Sequence, residues 1–130
     1  MIKTSTPEQL ACATAKLFFN VCNEWGFLDS EIAKMLNVTH IKLKSLRRMS
    51  AYFNEQQMIV AGLLLTVYND LSLVLKETVA DKGKRSKRWL NTSNLNLANK
   101  TPKQLICADT SGIQEVRSLV ASLKNSVVQN

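Results

Sequence analysis

The sequence predicts an all-α protein, and three of its features point that way. Glycine and proline are scarce, four and two in 130 residues, so few positions break a helix. Two stretches carry the same helix-start signal. Thr6-Pro7-Glu8-Gln9 and Thr101-Pro102-Lys103-Gln104 each place a Thr cap, a proline at the first helical position and a Gln three residues after the cap. Apolar residues recur at intervals of three and four, whereas strand-like alternation is rare. An apolar content of 45% suffices for one compact unit or for two small helical ones sharing a core. The expected organisation is a helix-turn-helix-like domain with a long central helix over residues 1–80, followed by a small helical C-terminal subdomain over residues 81–130.

The first helix follows Thr6 and carries Leu10, Ala13, Leu17, Val21 and Trp25 on one face, with Gly26 as its terminator. Residues Asp29 to Arg48 fit a helix-turn-helix template. Ala33 is small where two helices cross closely, and Asn37 sits where the turn needs a residue tolerant of positive φ. Ile32, Leu36, Val38, Leu43 and Leu46 hold the pair together, and Thr39 caps the second helix. Any tight helical hairpin needs the same features, so the template alone does not imply DNA. In a DNA reader, Thr39, His40, Ile41, Lys44, Ser45 and Arg48 face outward along the recognition helix, and Lys42 and Arg47 are placed for phosphates. Ile41 is apolar where polar base-readers are common; it either meets a thymine methyl or packs. His40, the single histidine of the chain, reads as a phosphate or solvent contact rather than a catalyst.

Residues Tyr52 to Val79 predict one long helix. Ile59, Leu63, Val67, Leu71, Val74 and Leu75 form a broad stripe that Val60, Leu64, Tyr68 and Leu73 widen. Apolar residues around so much of the circumference imply a central spine, covered by the rest of the chain or by a second copy. Asp81 to Arg88 reads as a polar hinge, with five cations among the seven residues from Lys82 to Arg88. It suits a solvated connector, a DNA-backbone patch or a dock for an acidic surface. Trp89 anchors the C-terminal stretch. There the sequence gives a turn region rich in Asn, Thr and Ser, the helix starting at Thr101, and a break over Asp109 to Gly112. A final helix bears Ile113, Val116, Leu119, Val120 and Leu123 on one face.

The net charge of +7 points to an anionic partner, nucleic acid first. Cys12, Cys22 and Cys107 are an odd number without paired spacing. They read as small core residues in a reducing cytosol, not as a disulfide framework or a metal site, so a cytoplasmic protein is expected. The N-terminus lacks the apolar run of a signal peptide, and Met58 to Leu75, interrupted by Asn69-Asp70, reads as a buried helix rather than a membrane span. The sequence offers no enzyme site: one histidine, no glycine-rich phosphate loop and no carboxylate pair set by spacing, hence no cofactor. Trp25 and Trp89 read as core anchors.

The stretch from Trp89 resembles the toxin-binding domain of Xre/MbcA/ParS-type antitoxins. That family shows Trp-Leu, then Pro-Asn, Leu, Gly and Pro at fixed offsets. Trp89, Leu90, Asn94, Leu97 and Pro102 stand at those offsets, with Gln104-Leu105, Gly112 and Val116 in register. Ser93 replaces the family's proline and Asn99 its glycine, the latter a mild exchange because Asn tolerates left-handed backbone. The resemblance covers the last third of the chain strongly. It implies an antitoxin whose partner is a RES-domain toxin that consumes NAD. Trp89, Asn94, Leu97 and Pro102 would belong to the docking surface, and Ser126, Val127, Val128, Gln129 and Asn130 to an extended end covering the toxin's cleft. It also implies operator binding through the helix-turn-helix, as a homodimer or a toxin–antitoxin hetero-oligomer. The alternatives are a stand-alone helix-turn-helix regulator whose C-terminal domain only dimerises, and a helical adaptor with no DNA activity.

Overall fold

Both Thr-Pro signals start helices in the computed structural model of the protein, which describes residues 6–128. Thr6 and Thr101 each accept a bond from the backbone N–H of the Gln three residues on, and that Gln's side chain returns to the cap N–H. Seven α-helices result among the described residues: α1 (Pro7–Glu24), α2 (Asp29–Leu36), α3 (His40–Arg47), α4 (Glu55–Val74), α5 (Lys84–Leu90), α6 (Pro102–Ala108) and α7 (Thr110–Val128). Single 3-10 turns at Val79–Asp81 and Leu95–Leu97 lie between them. The only β pairing among the described residues is an isolated antiparallel bridge from Asn94 to Lys100.

The core is built on α4. Val60, Ala61, Leu64, Val67 and Leu71 are buried along it, facing α1 on one side and α7 on the other. By length and composition α4 is the one helix among the described residues able to cross a membrane, and these residues lie inside the bundle. Helices α4 and α7 run parallel. Gln56 Nε2 donates to Thr110 Oγ1 at 3.4 Å near their starts, and Lys124 Nζ to Asp70 Oδ1 at 3.1 Å near their ends. Both bonds join residues 54 apart, so the register holds along the pair. One contiguous buried cluster takes in Phe18 and Trp25 of the N-terminal stretch together with Leu90, Ile106, Ile113, Val116 and Val120 of the C-terminal one, so the two expected domains share a single core.

Three expectations change. The buried face of α1 is Ala11, Ala15, Phe18, Phe19 and Cys22, whereas Leu10 and Leu17 are 55% and 57% exposed. The two stripes differ by a fraction of a turn and both run into Val21 and Trp25. The one with two phenylalanines buries more area and wins. The central helix spans Glu55–Val74 rather than Tyr52 to Val79. Asn54 and Gln57 form a reciprocal capping box at its start, and Lys76, in left-handed backbone at φ 52°, stops it. The break before the last helix is a single residue. Asp109 is extended and its Oδ1 accepts Gly112 N–H at 2.7 Å, so α7 begins at Thr110 with Gly112 inside its first turn.

Gly112 lets α6 and α7 touch, because a Cβ there would collide with the carbonyl of Leu105. Gly62, on the outer face of α4, would place a Cβ in open space. Gly112→Ala should therefore cost about 3 kcal/mol of stability through overpacking. Gly62→Ala should add ~1 kcal/mol through helix propensity. Denaturant midpoints check both signs, and equal responses would refute the close α6–α7 approach.

Candidate functional site

The pair α2–α3 is shaped by its turn. Asn37 takes left-handed backbone at φ 55°, Asn37 N–H bonds Lys34 O at 3.2 Å and Val38 N–H bonds Ala33 O at 2.9 Å, closing the end of α2. Ala33 is buried, as are Ile32, Leu36, Leu43 and Leu46, while Val38 packs partly buried against them. Thr39 Oγ1 accepts Lys42 N–H at 3.1 Å and starts α3. The buried side chain of Gln57 donates to Leu36 O at 3.2 Å, tying this turn to the start of α4.

The outer face of α3 is cationic. It holds no Asp or Glu, and among the described residues no carboxylate lies within ion-pair reach of Lys42, Lys44 or Arg48. Ile41 is 81% exposed and shares a face with Lys44, Ser45 and Arg48 by helical spacing. Thr39, His40 and Lys42 are exposed at the helix start. Ser45 Oγ is turned back onto Ile41 O at 3.4 Å. Arg47, expected at phosphates, is exposed but engaged: its guanidinium bonds Asp29 Oδ1 at 2.6 Å and stacks 4.8 Å over the Phe19 ring, linking α3 to α2 and α1.

The cationic run is not a hinge. Lys84–Leu90 is helix α5, and its start is capped from a distance by Glu77. Glu77 Oε2 accepts Arg85 N–H at 2.8 Å and Ser86 N–H at 3.0 Å, and Oε1 accepts the hydroxyl of fully buried Ser86. Arg85 also bonds Leu75 O at 3.1 Å, joining α5 to the end of α4. Lys82, Lys84, Lys87 and Arg88 remain exposed.

Beyond α5 the motif residues divide. Leu97 and Pro102 are buried and Trp89 is half-buried against the core. Asn94 organises the loop: its Oδ1 accepts Asn96 N–H at 2.9 Å and its backbone pairs with Lys100. Ala98 and Asn99 both take left-handed backbone, at φ 55° and 64°, the region that favours glycine and that Asn tolerates. The residue this loop presents is Leu95, 86% exposed, which the offsets do not single out. A leucine inside an Asn-rich turn, with no helical partner, is the signal in the sequence that could have found it. The last helix continues through Val128, so Ser126 is helical, with its hydroxyl on Ser122 O at 3.2 Å, rather than the start of an extended end. Gln129 and Asn130 lie outside the described residues.

Two hollows have polar linings. One of about 530 Å³ between α2 and α6 is lined by Ser30, Glu31, Lys34, Lys103 and Cys107, and the Glu31–Lys103 ion pair at 3.4 Å closes on itself. Burial, and then the charge of Glu31, raises the Cys107 thiol to about 11, so it is no ready nucleophile. The other, about 270 Å³, lies beside Glu24, Tyr68 and Glu77, whose oxygens are already engaged. Among the described residues no three His, Cys, Asp or Glu side chains gather as a metal site.

Tyr68 Oη donates to Glu24 Oε2 at 2.6 Å. That bond first, then burial and the charges of Glu24 and Glu77, raise the phenol from 10.0 to about 12. The folded state thus favours the protonated phenol; the stabilisation is complete below the unfolded value of 10.0 and is lost as pH rises toward about 12. An alkaline titration of phenolate absorbance should show a late step that Tyr68→Phe removes, and its persistence in that variant would assign it elsewhere.

No family model, curated protein or solved structure matches the chain.

Proposed function

We propose that the protein is an antitoxin: it binds and sterically inhibits a RES-type, NAD-consuming toxin through its C-terminal stretch and represses its own operon through α3. The observation that carries this reading is the loop between α5 and α6. Asn94 and Lys100 close it, Leu97 roots it in the core, and two left-handed residues hold it in one conformation. Such a loop presents Leu95 as a rigid anchor, and interface energy is concentrated on a few such anchors. The DNA half is supported by α3, where Lys42, Lys44 and Arg48 are exposed with no carboxylate in ion-pair reach among the described residues, leaving them available for phosphates.

Co-expression with the adjacent reading frame, scored by growth and cellular NAD, tests the first half. Leu95→Asp should weaken toxin binding by about 30-fold, a hot-spot loss of ~2 kcal/mol, without lowering thermal stability. Deleting Ser126 to Asn130 should release toxin activity. If both variants protect fully, inhibition resides elsewhere. In gel shifts against the upstream duplex, Lys44→Ala with Arg48→Ala should flatten the salt dependence by about one log–log slope unit per lost phosphate contact. An unchanged slope would remove α3 from the DNA.

A further inference from the structure

We infer that Ile41 is a specificity-determining residue that reads the C5-methyl group of thymine in the major groove of duplex DNA. The inference rests on the DNA-reading half of the function proposed above and names what that site selects.

The alternative for Ile41, packing within the chain, fails on its exposure of 81%. It is the one large apolar side chain on the outer face of α3, set beside Lys44, Ser45 and Arg48 and adjoining Lys42. The hydroxyls near it each make a bond to the helix backbone. Thr39 Oγ1 caps Lys42 N–H and Ser45 Oγ bonds the carbonyl of Ile41 itself. Besides His40 and the Thr39 cap at its start, what α3 offers outward is therefore cations and one apolar surface. Cations suit phosphate oxygens and guanine edges; the thymine methyl is the apolar group that base edges display in the major groove. Ile41 is the second residue of α3, in the N-terminal part that contacts base edges when such a helix enters the groove. Its β-branch limits χ1, so the methyls are held in shape before contact. Charge complementarity selects the duplex over a second copy of this chain, because two α3 faces would oppose cation to cation.

The test is selection of a high-affinity duplex from a random-sequence pool, followed by replacement of each thymine in turn by deoxyuridine, which removes only the methyl. At one position the replacement should weaken wild-type binding about three- to fivefold, the effect of one buried methyl-sized group. The same replacement should leave Ile41→Ala unaffected. If the duplex binds but every replacement acts alike on both proteins, Ile41 does not read the methyl, while DNA reading by α3 stands. A selected duplex without thymine has the same meaning. If no duplex is enriched, both readings fall. A thermal midpoint for Ile41→Ala below that of the wild type would show Ile41 packing in the fold and would also overturn the assignment.

Discussion

The parallel packing of α7 on α4 is the constraint on which the rest of the structure hangs. Val60, Leu64, Val67 and Leu71 on one helix and Ile113, Val116 and Val120 on the other are withdrawn from water together. A parallel pair cannot be joined by a short turn, since the end of α4 lies a full helix length from the start of α7. The chain must travel back, and α5, the Asn94–Lys100 loop and α6 are that return path. Its anchoring follows. Glu77 fixes the start of α5, Leu90 and Ile106 enter the core, and the absent side chain of Gly112 lets α6 lie against α7. The stretch resembling a docking domain is thus also the connector that the helical topology demands.

Helix starts are far more legible in this sequence than helix ends. A start is side-chain chemistry: Thr6 and Thr101 with their Gln partners, and Thr39 capping α3, are written in the residues themselves. Ends depend on left-handed backbone, which glycine announces and other residues conceal. Gly26 and Asn37 are readable stops for that reason. Met49 and Lys76 end α3 and α4 at positive φ without any such mark, and the predicted central helix overruns Lys76. Two other differences have related causes. The stripe on α1 is ambiguous by a fraction of a turn, and only tertiary packing chooses Phe18 and Phe19 over Leu10 and Leu17. Helix α5 reads as a hinge because its capping group, Glu77, comes from outside the segment and no local pattern reveals it.

Acids and cations are used differently in this fold. Of ten carboxylates, seven are engaged inside the fold. Glu77, Asp81 and Asp109 cap backbone N–H groups, Glu31 accepts Leu28 N–H, Glu24 holds Tyr68, and Asp29 and Asp70 hold Arg47 and Lys124. Of seventeen Lys and Arg, four are in ion pairs among the described residues. Most of the acids are hydrogen-bonded within the chain, whereas most of the cations form no ion pair among the described residues; the carboxylates keep their charge, so the positive potential a polyanion meets is strongest where acids are absent, as around Lys42, Lys44 and Arg48. On α3, Arg47 pairs with Asp29 of α2, while Lys42, Lys44 and Arg48 have no carboxylate within ion-pair reach among the described residues.

The same division of labour explains the residues beyond Trp89. A docking motif read from sequence tempts one to place every motif residue at the interface, yet Leu97 and Pro102 are interior and Asn94 is occupied with its own loop. Their fixed offsets are what a tight loop needs: an Asn to close it, a leucine to root it, and a proline to begin the next helix. Asn99 fills the left-handed position beside Ala98 without glycine. Those requirements are satisfied inwardly, so the outward side chain is free of them, and it is Leu95 that stands in water. A scaffold that fixes its loop from within can change its anchor without refolding. Under the proposed function, the specificity of docking would sit on the residue that the motif leaves unconstrained, while the motif itself secures the geometry that presents it.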